Sequence, residues 1–116
     1  MGKAISALRS QGEILERIRR FIKDVEEICT KKGLAFKGAY LVGSRARGDY
    51  LEDSDADLIL LVDGVEGLNR IGRLRLFSEA LAPRIEFTVY TSAEWFEEES
   101  VWISELKKEA VKLEWA

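Results

Sequence analysis

The stretch that decides the reading is Gly43-Ser44-Arg45-Ala46-Arg47-Gly48-Asp49, resumed at Ser54-Asp55-Ala56-Asp57-Leu58. A Gly-Ser pair stands ten residues ahead of two aspartates separated by a single alanine, and the second aspartate opens the apolar run Leu58-Ile59-Leu60-Leu61-Val62. Residues i and i+2 of an extended segment project to the same side, roughly 6–7 Å apart at Cα. Two carboxylates about 5 Å apart repel by roughly 3 kcal/mol at an effective dielectric of 20, so pairing them beside a buried strand makes sense around a divalent cation. Mg²⁺ typically takes one or two carboxylates and fills its shell with water and substrate phosphates. Asp55 and Asp57 are therefore the expected metal ligands.

Gly43 lets the backbone approach a phosphate, and exposed amides with the Ser44 hydroxyl can bond its oxygens. Arg45 and Arg47 offer either a charge-assisted phosphate contact or pairing with Asp49, Glu52 or Asp53. The Gly-Lys-Ser/Thr ending of a Walker A loop is absent, so the cradle is of another kind.

Upstream, Ser10 and Glu13 form a candidate capping box. Ile14, Leu15, Ile18, Phe21, Ile22, Val25, Ile28 and Cys29 then recur at helical spacing until Gly33, predicting one amphipathic helix in an N-terminal region over 1–33. Its basic residues alternate with Glu13, Glu16, Asp24, Glu26 and Glu27, the pattern of a solvated, salt-bridged face rather than an RNA surface.

Downstream, 38–42 and 57–62 read as buried strands, the second covered on both faces. Asp63-Gly64 leads into a helix predicted from Val65 to Leu81, with Leu68, Ile71, Leu74, Phe77 and Leu81 inward and Pro83 closing it. From Arg84 to Tyr90 the chain alternates, Ile85, Phe87 and Val89 on one face and Glu86, Thr88 and Tyr90 on the other. Thr91 and Glu94 form a second capping box opening a short helix with Trp95 and Phe96. A helix over 101–108 follows, and Val111, Leu113 and Trp115 alternate as an edge strand. The expected architecture is α/β, a small mixed sheet flanked by helices.

Glu86 is the one acidic residue on an otherwise apolar, β-prone strand. Two-metal nucleotidyl transfer needs a carboxylate near the attacking hydroxyl, and Glu86 can fill that place if its strand neighbours that of Asp57. Composition excludes the competing chemistries. With no histidine and one cysteine there is no histidine base, no Ser-His or Cys-His pair, no disulfide and no multi-cysteine metal site. A net charge of −3 argues against binding nucleic acid through bulk electrostatics. No apolar run approaches a membrane span and no signal-peptide pattern opens the chain, so it reads as cytoplasmic. At 116 residues it is expected to form one domain, with a catalytic core over 36–116.

These residues resemble the minimal nucleotidyltransferases of the DNA polymerase β-like superfamily. The likeness rests on Gly43-Ser44, the ten-residue spacing, Asp55-Ala56-Asp57, the flanking Ala46-Arg47-Gly48 and Ser54, and the later strand Arg84-Ile85-Glu86-Phe87-Thr88-Val89-Tyr90-Thr91. It implies the polymerase β-like fold, with Mg²⁺ (two ions, Mn²⁺ as substitute) on Asp55, Asp57 and Glu86, and the triphosphate of ATP on Gly43 and Ser44. The third acid of that family is usually aspartate, and Glu86 departs from the pattern by one methylene. Many such small proteins are antitoxins paired with a HEPN-domain ribonuclease toxin, moving AMP from ATP to a toxin tyrosine. A catalytically weak antitoxin that binds nucleotide and neutralises its partner by complex formation is the alternative. A homo-oligomer is left open.

Overall fold

A computed structural model describes residues 2–97 and 100–114. Helix α1 (Gly2–Lys32) is followed by strand β1 (Ala35–Val42), the short helix α2 (Ser44–Arg47) and strand β2 (Ala56–Asp63). Helix α3 (Arg70–Leu76) runs into a 3-10 turn over Ser78–Ala80, then come β3 (Ile85–Tyr90), α4 (Ser92–Phe96), α5 (Val101–Glu109) and β4 (Val111–Lys112). The sheet order is β3-β2-β1-β4. β2 pairs parallel with β3, and β1 pairs antiparallel with β2 and β4, so the sheet is mixed as expected.

The sheet is covered on both faces. One face receives Ile14, Ile18, Phe21, Ile22, Val25, Ile28 and Cys29 of α1, packed on Ala39, Leu41, Leu58, Leu60, Val62 and Val89. Phe21 meets Phe87 with ring centroids 5.2 Å apart. Burial pushes the Cys29 thiol up to about 11, with a smaller contribution from the charge of Glu26, so the thiol is inert at neutral pH. The opposite face carries Val42, Ile59 and Leu61 under Trp95 of α4 and Ile103 of α5. β2 lies between these layers, which is why it reads as a continuous apolar run.

Three local expectations are corrected. Helix α1 starts well before Ser10, so Ser10 and Glu13 are not its cap. The Ser10 hydroxyl instead donates to the Glu52 carbonyl and accepts from Arg45 Nη2 at 2.9 Å. The expected helix over 65–81 is only Arg70–Leu76 plus the 3-10 turn, because Asn69 caps it by accepting from the Gly72 N–H at 2.8 Å. Phe77 is buried there, whereas Leu68, Ile71 and Leu81 are exposed. β3 begins at Ile85 because Arg84 takes a left-handed φ of 68° that a strand cannot hold. The Thr91–Glu94 capping box is present, as is the edge strand at Val111–Lys112. Trp115 lies outside the described residues.

Arg45 takes the structural one of its two expected roles. Its side chain is buried and donates to the Ser54 carbonyl (2.7 Å from Nη2, 3.1 Å from Nε), to Gln11 Oε1 at 3.0 Å and to the Glu52 carbonyl at 3.3 Å. Its donors thus tie α1 to the loop ahead of β2 and are not available to a phosphate. Arg45→Ala would remove a buried guanidinium and leave partly buried acceptors without their donor, and is expected to cost about 2 kcal/mol of stability in chemical denaturation. A loss below about 0.5 kcal/mol would show that water replaces the guanidinium.

Candidate active site

Each acid reaches the site through backbone geometry. Parallel pairing sets Asp57 of β2 directly beside Glu86 of β3, and Val42 of β1 opposite Asp57 on the other side. Side chains at paired positions share a face, so Asp57 and Glu86 point the same way, at the end of β1 where Gly43 leaves the sheet. The two carboxyl groups are close enough to influence each other's protonation. Burial raises the Asp57 carboxyl from 3.8 to about 6, reinforced by the proximity of the Glu86 carboxyl and by the negative charges of Glu86, Asp55 and Glu109. Asp55 stands just outside β2 and is exposed.

Gly43 stands where a side chain would collide with Asp57. Its backbone sits at φ 77°, ψ −159°, and a Cβ added there would fall 2.5 Å from Asp57 Oδ2. That conformation is essentially confined to glycine. Ser44 opens α2 immediately after it, half-buried.

Arg47 is half-exposed and held by two carboxylates, donating to Asp49 Oδ2 at 3.2 Å and to Glu109 Oε2 at 2.6 Å. The pairing with Asp49 was expected, that with Glu109 was not. Glu109 also accepts from the Gly43 N–H at 3.2 Å, so a fourth carboxylate stands in the site. No local motif marks Glu109. It arrives because α5 crosses the second face of the sheet and ends above Gly43.

A cleft of about 1020 Å³ opens from this acidic end along β3. Gly43, Asp57, Glu86 and Glu109 line one end, while Tyr90, Arg70 and Trp102 lie further along it. Leu68, Leu74 and Leu81 line its wall, which explains why side chains at helical spacing are not in the core. Arg73 holds that wall, donating to Glu94 Oε1 at 2.6 Å and to the Val89 carbonyl at 3.2 Å. Trp95 is buried under the sheet's second face, whereas Trp102 is 65% exposed and available to a ligand in the cleft.

Among the described residues, no three Cys, Asp or Glu side chains are drawn together tightly enough to cage a metal ion. The donor set still fits a hard divalent cation. Asp57 and Glu86 stand side by side as hard oxygen donors, and the charges of Asp55 and Glu109 add to the burial that favours the protonated Asp57 carboxyl, a bias a bound cation would reverse.

Residues 15–113, most of the chain, match the family model described as nucleotidyltransferase domain. The chain belongs to this family. A crystal structure from Sulfolobus solfataricus, described as a putative nucleotidyltransferase, superposes with a TM-score of 0.73 at 28% identity, covering 97% of this chain and 89% of that one. A relative from Methanocaldococcus jannaschii named as a putative protein adenylyltransferase is 46% identical over 50 residues. That match covers 43% of this chain and about half, 48%, of the relative's length. The fold is thus that of a nucleotidyltransferase, and the paired acids line one end of its cleft of about 1020 Å³. No helix among the described residues is long and apolar enough to cross a membrane.

Proposed function

We propose that this nucleotidyltransferase moves AMP from ATP to a hydroxyl of a partner protein, in the presence of Mg²⁺, and that the acceptor is a tyrosine of a HEPN-type toxin. The observation that carries the reading is the register of Asp57 and Glu86 on adjacent parallel strands, beside a glycine whose position leaves no room for a Cβ next to Asp57. The partial match to a relative named as a protein adenylyltransferase supports a protein acceptor.

Asp57 and Asp55 would hold the cation, with Glu86 on the acceptor side. Bound there, Mg²⁺ supplies charge neutralisation for the phosphate oxygens. Gly43 and Ser44 would position the triphosphate so that the α-phosphorus faces Glu86. Glu86 takes the proton of the acceptor hydroxyl as its oxygen bonds to the α-phosphorus. The bond from that phosphorus to the bridging oxygen breaks, and pyrophosphate leaves on the opposite side. The acidic floor disfavours a nucleic-acid acceptor, in line with the net charge of −3.

The test is transfer of α-phosphate label from ATP to the protein that co-purifies with this chain. Label that disappears in Asp57→Asn establishes the activity, and its site identifies the acceptor. Glu86→Gln is expected to lower turnover about 100-fold while leaving ATP affinity within about threefold. If affinity falls and turnover does not, Glu86 is not on the acceptor side. The alternative is an occluding, non-catalytic antitoxin, kept open by Glu86 standing where an aspartate is usual. A stable complex that binds ATP and transfers no label would select it.

A further inference from the structure

Glu109 is the acidic group that the transfer chemistry leaves unused, and its position is unfavourable on two counts. It ends α5, where the helix dipole disfavours negative charge. It also adds to the negative charge around Asp57, whose carboxyl it helps push upward. What holds it there is a pair of donors, the Gly43 N–H at 3.2 Å and Arg47 Nη1 at 2.6 Å. A backbone amide and a guanidinium converging on the two oxygens of one anion are the donors a phosphate would take.

We propose that Glu109 is an internal occupant of the triphosphate subsite, and that an incoming triphosphate must displace it to reach Gly43 and Arg47. The inference rests on the nucleotide-binding reading above and adds a competitor to it. Two consequences follow from the contacts. The ligand-free site is kept in a bonded arrangement, with the Gly43 amide and Arg47 satisfied rather than waiting. Binding also frees a carboxylate on the last residue of α5, directly ahead of Ala110 and the β4 strand that pairs with Tyr40 and Leu41. Nucleotide occupancy is thereby felt at the C-terminal edge of the sheet.

Substitution at Glu109 separates occupancy from mere charge. Glu109→Gln removes the charge and weakens the ion pair to Arg47. Glu109→Asp keeps the charge but is one methylene too short to hold both donors. Binding of inorganic tripolyphosphate with Mg²⁺, measured by calorimetry, is expected to tighten about tenfold in Glu109→Gln and severalfold in Glu109→Asp. Glu105→Gln, which removes a charge on the same helix where Glu105 pairs with exposed Lys108, is expected to match the wild type.

Weaker binding in Glu109→Gln would overturn the proposal, because Glu109 would then be helping to hold the ligand. Equal affinity of Glu109→Asp and wild type would overturn it as a plain charge effect. Failure of every variant to bind tripolyphosphate would overturn it by removing the anion site itself. Label transfer from ATP by the wild-type protein, measured in parallel, reads the proposed activity separately: tighter tripolyphosphate binding without transfer keeps the displaced carboxylate and discards the transferase.

Discussion

Asp57→Asn is expected to reduce nucleotidyl transfer by on the order of 10³-fold while leaving the protein at least as stable as the wild type. Both halves come from the same carboxyl group. Loss of activity follows from losing the acid that lies in register with Glu86 and against the space where a Gly43 side chain would stand. The stability half follows from its titration. Asp57 holds its proton more tightly in the folded chain, at about 6, than at its ordinary value of 3.8. Its contribution to stability is therefore complete below pH 3.8 and is lost as the pH rises through about 6. Asparagine carries no charge to repel, so above that pH the variant is expected to gain on the order of 1 kcal/mol after allowance for solvent screening, a rise of a few degrees in Tm. Thermal melts of both proteins at pH 4.5 and pH 8 make the comparison. A variant less stable than wild type at pH 8 would show that the carboxylate is well accommodated without a cation.

The second large effect belongs to Gly43→Ala. The added Cβ meets Asp57 Oδ2 at 2.5 Å, and the backbone conformation costs a non-glycine residue about 1–3 kcal/mol before any clash. Relief requires moving either the β1 end or the Asp57 carboxylate, and a displacement of about 1 Å at a reacting centre can cost about 100-fold in rate. The variant is expected to lose about 2–3 kcal/mol in denaturant unfolding and about 100-fold in transfer. Gly48→Ala is the matched control, since its φ of 89° is also left-handed but no atom lies within 4 Å of the added carbon. It should lose about 1 kcal/mol and keep its activity. Equal activity losses in the two variants would mean that the loop as a whole, and not the approach of Gly43 to Asp57, matters.

The two strands of the site were legible because each carries its own period. β2 is apolar from Leu58 to Val62 because both faces are covered, and β3 alternates, which made Glu86 conspicuous among Ile85, Phe87 and Val89. Their adjacency was an expectation conditional on topology, and the parallel pairing supplies it. The segment between Val65 and Leu81 misled because apolar spacing reports a face, not what lies against it. Leu68, Leu74 and Leu81 face a cleft rather than a core, and the Asn69 cap delays the helix. Arg45 and Arg47 looked equivalent in sequence, yet one is buried beneath the loop and the other reaches Glu109. Glu109 itself was invisible, being separated from Gly43 by 66 residues and brought to it only by the path of α5.

The parallel pairing of β2 with β3 has a bearing on how this protein tolerates change in length. Chain leaving β2 at Asp63 must travel back along the sheet before entering β3 at Ile85, and the segment from Gly64 to Arg84 makes that journey. The alignment of Asp57 with Glu86 is fixed by the backbone ladder of six paired positions, not by the itinerary of the return. A residue added within the exposed Glu66–Gly67 turn leaves the two acids facing each other. A residue added inside β3 ahead of Glu86 turns its carboxylate to the α1 side of the sheet and empties the site of its third acid. The return path is thus free to lengthen and acquire new walls for the cleft, while the six-residue strand it leads to admits no such drift.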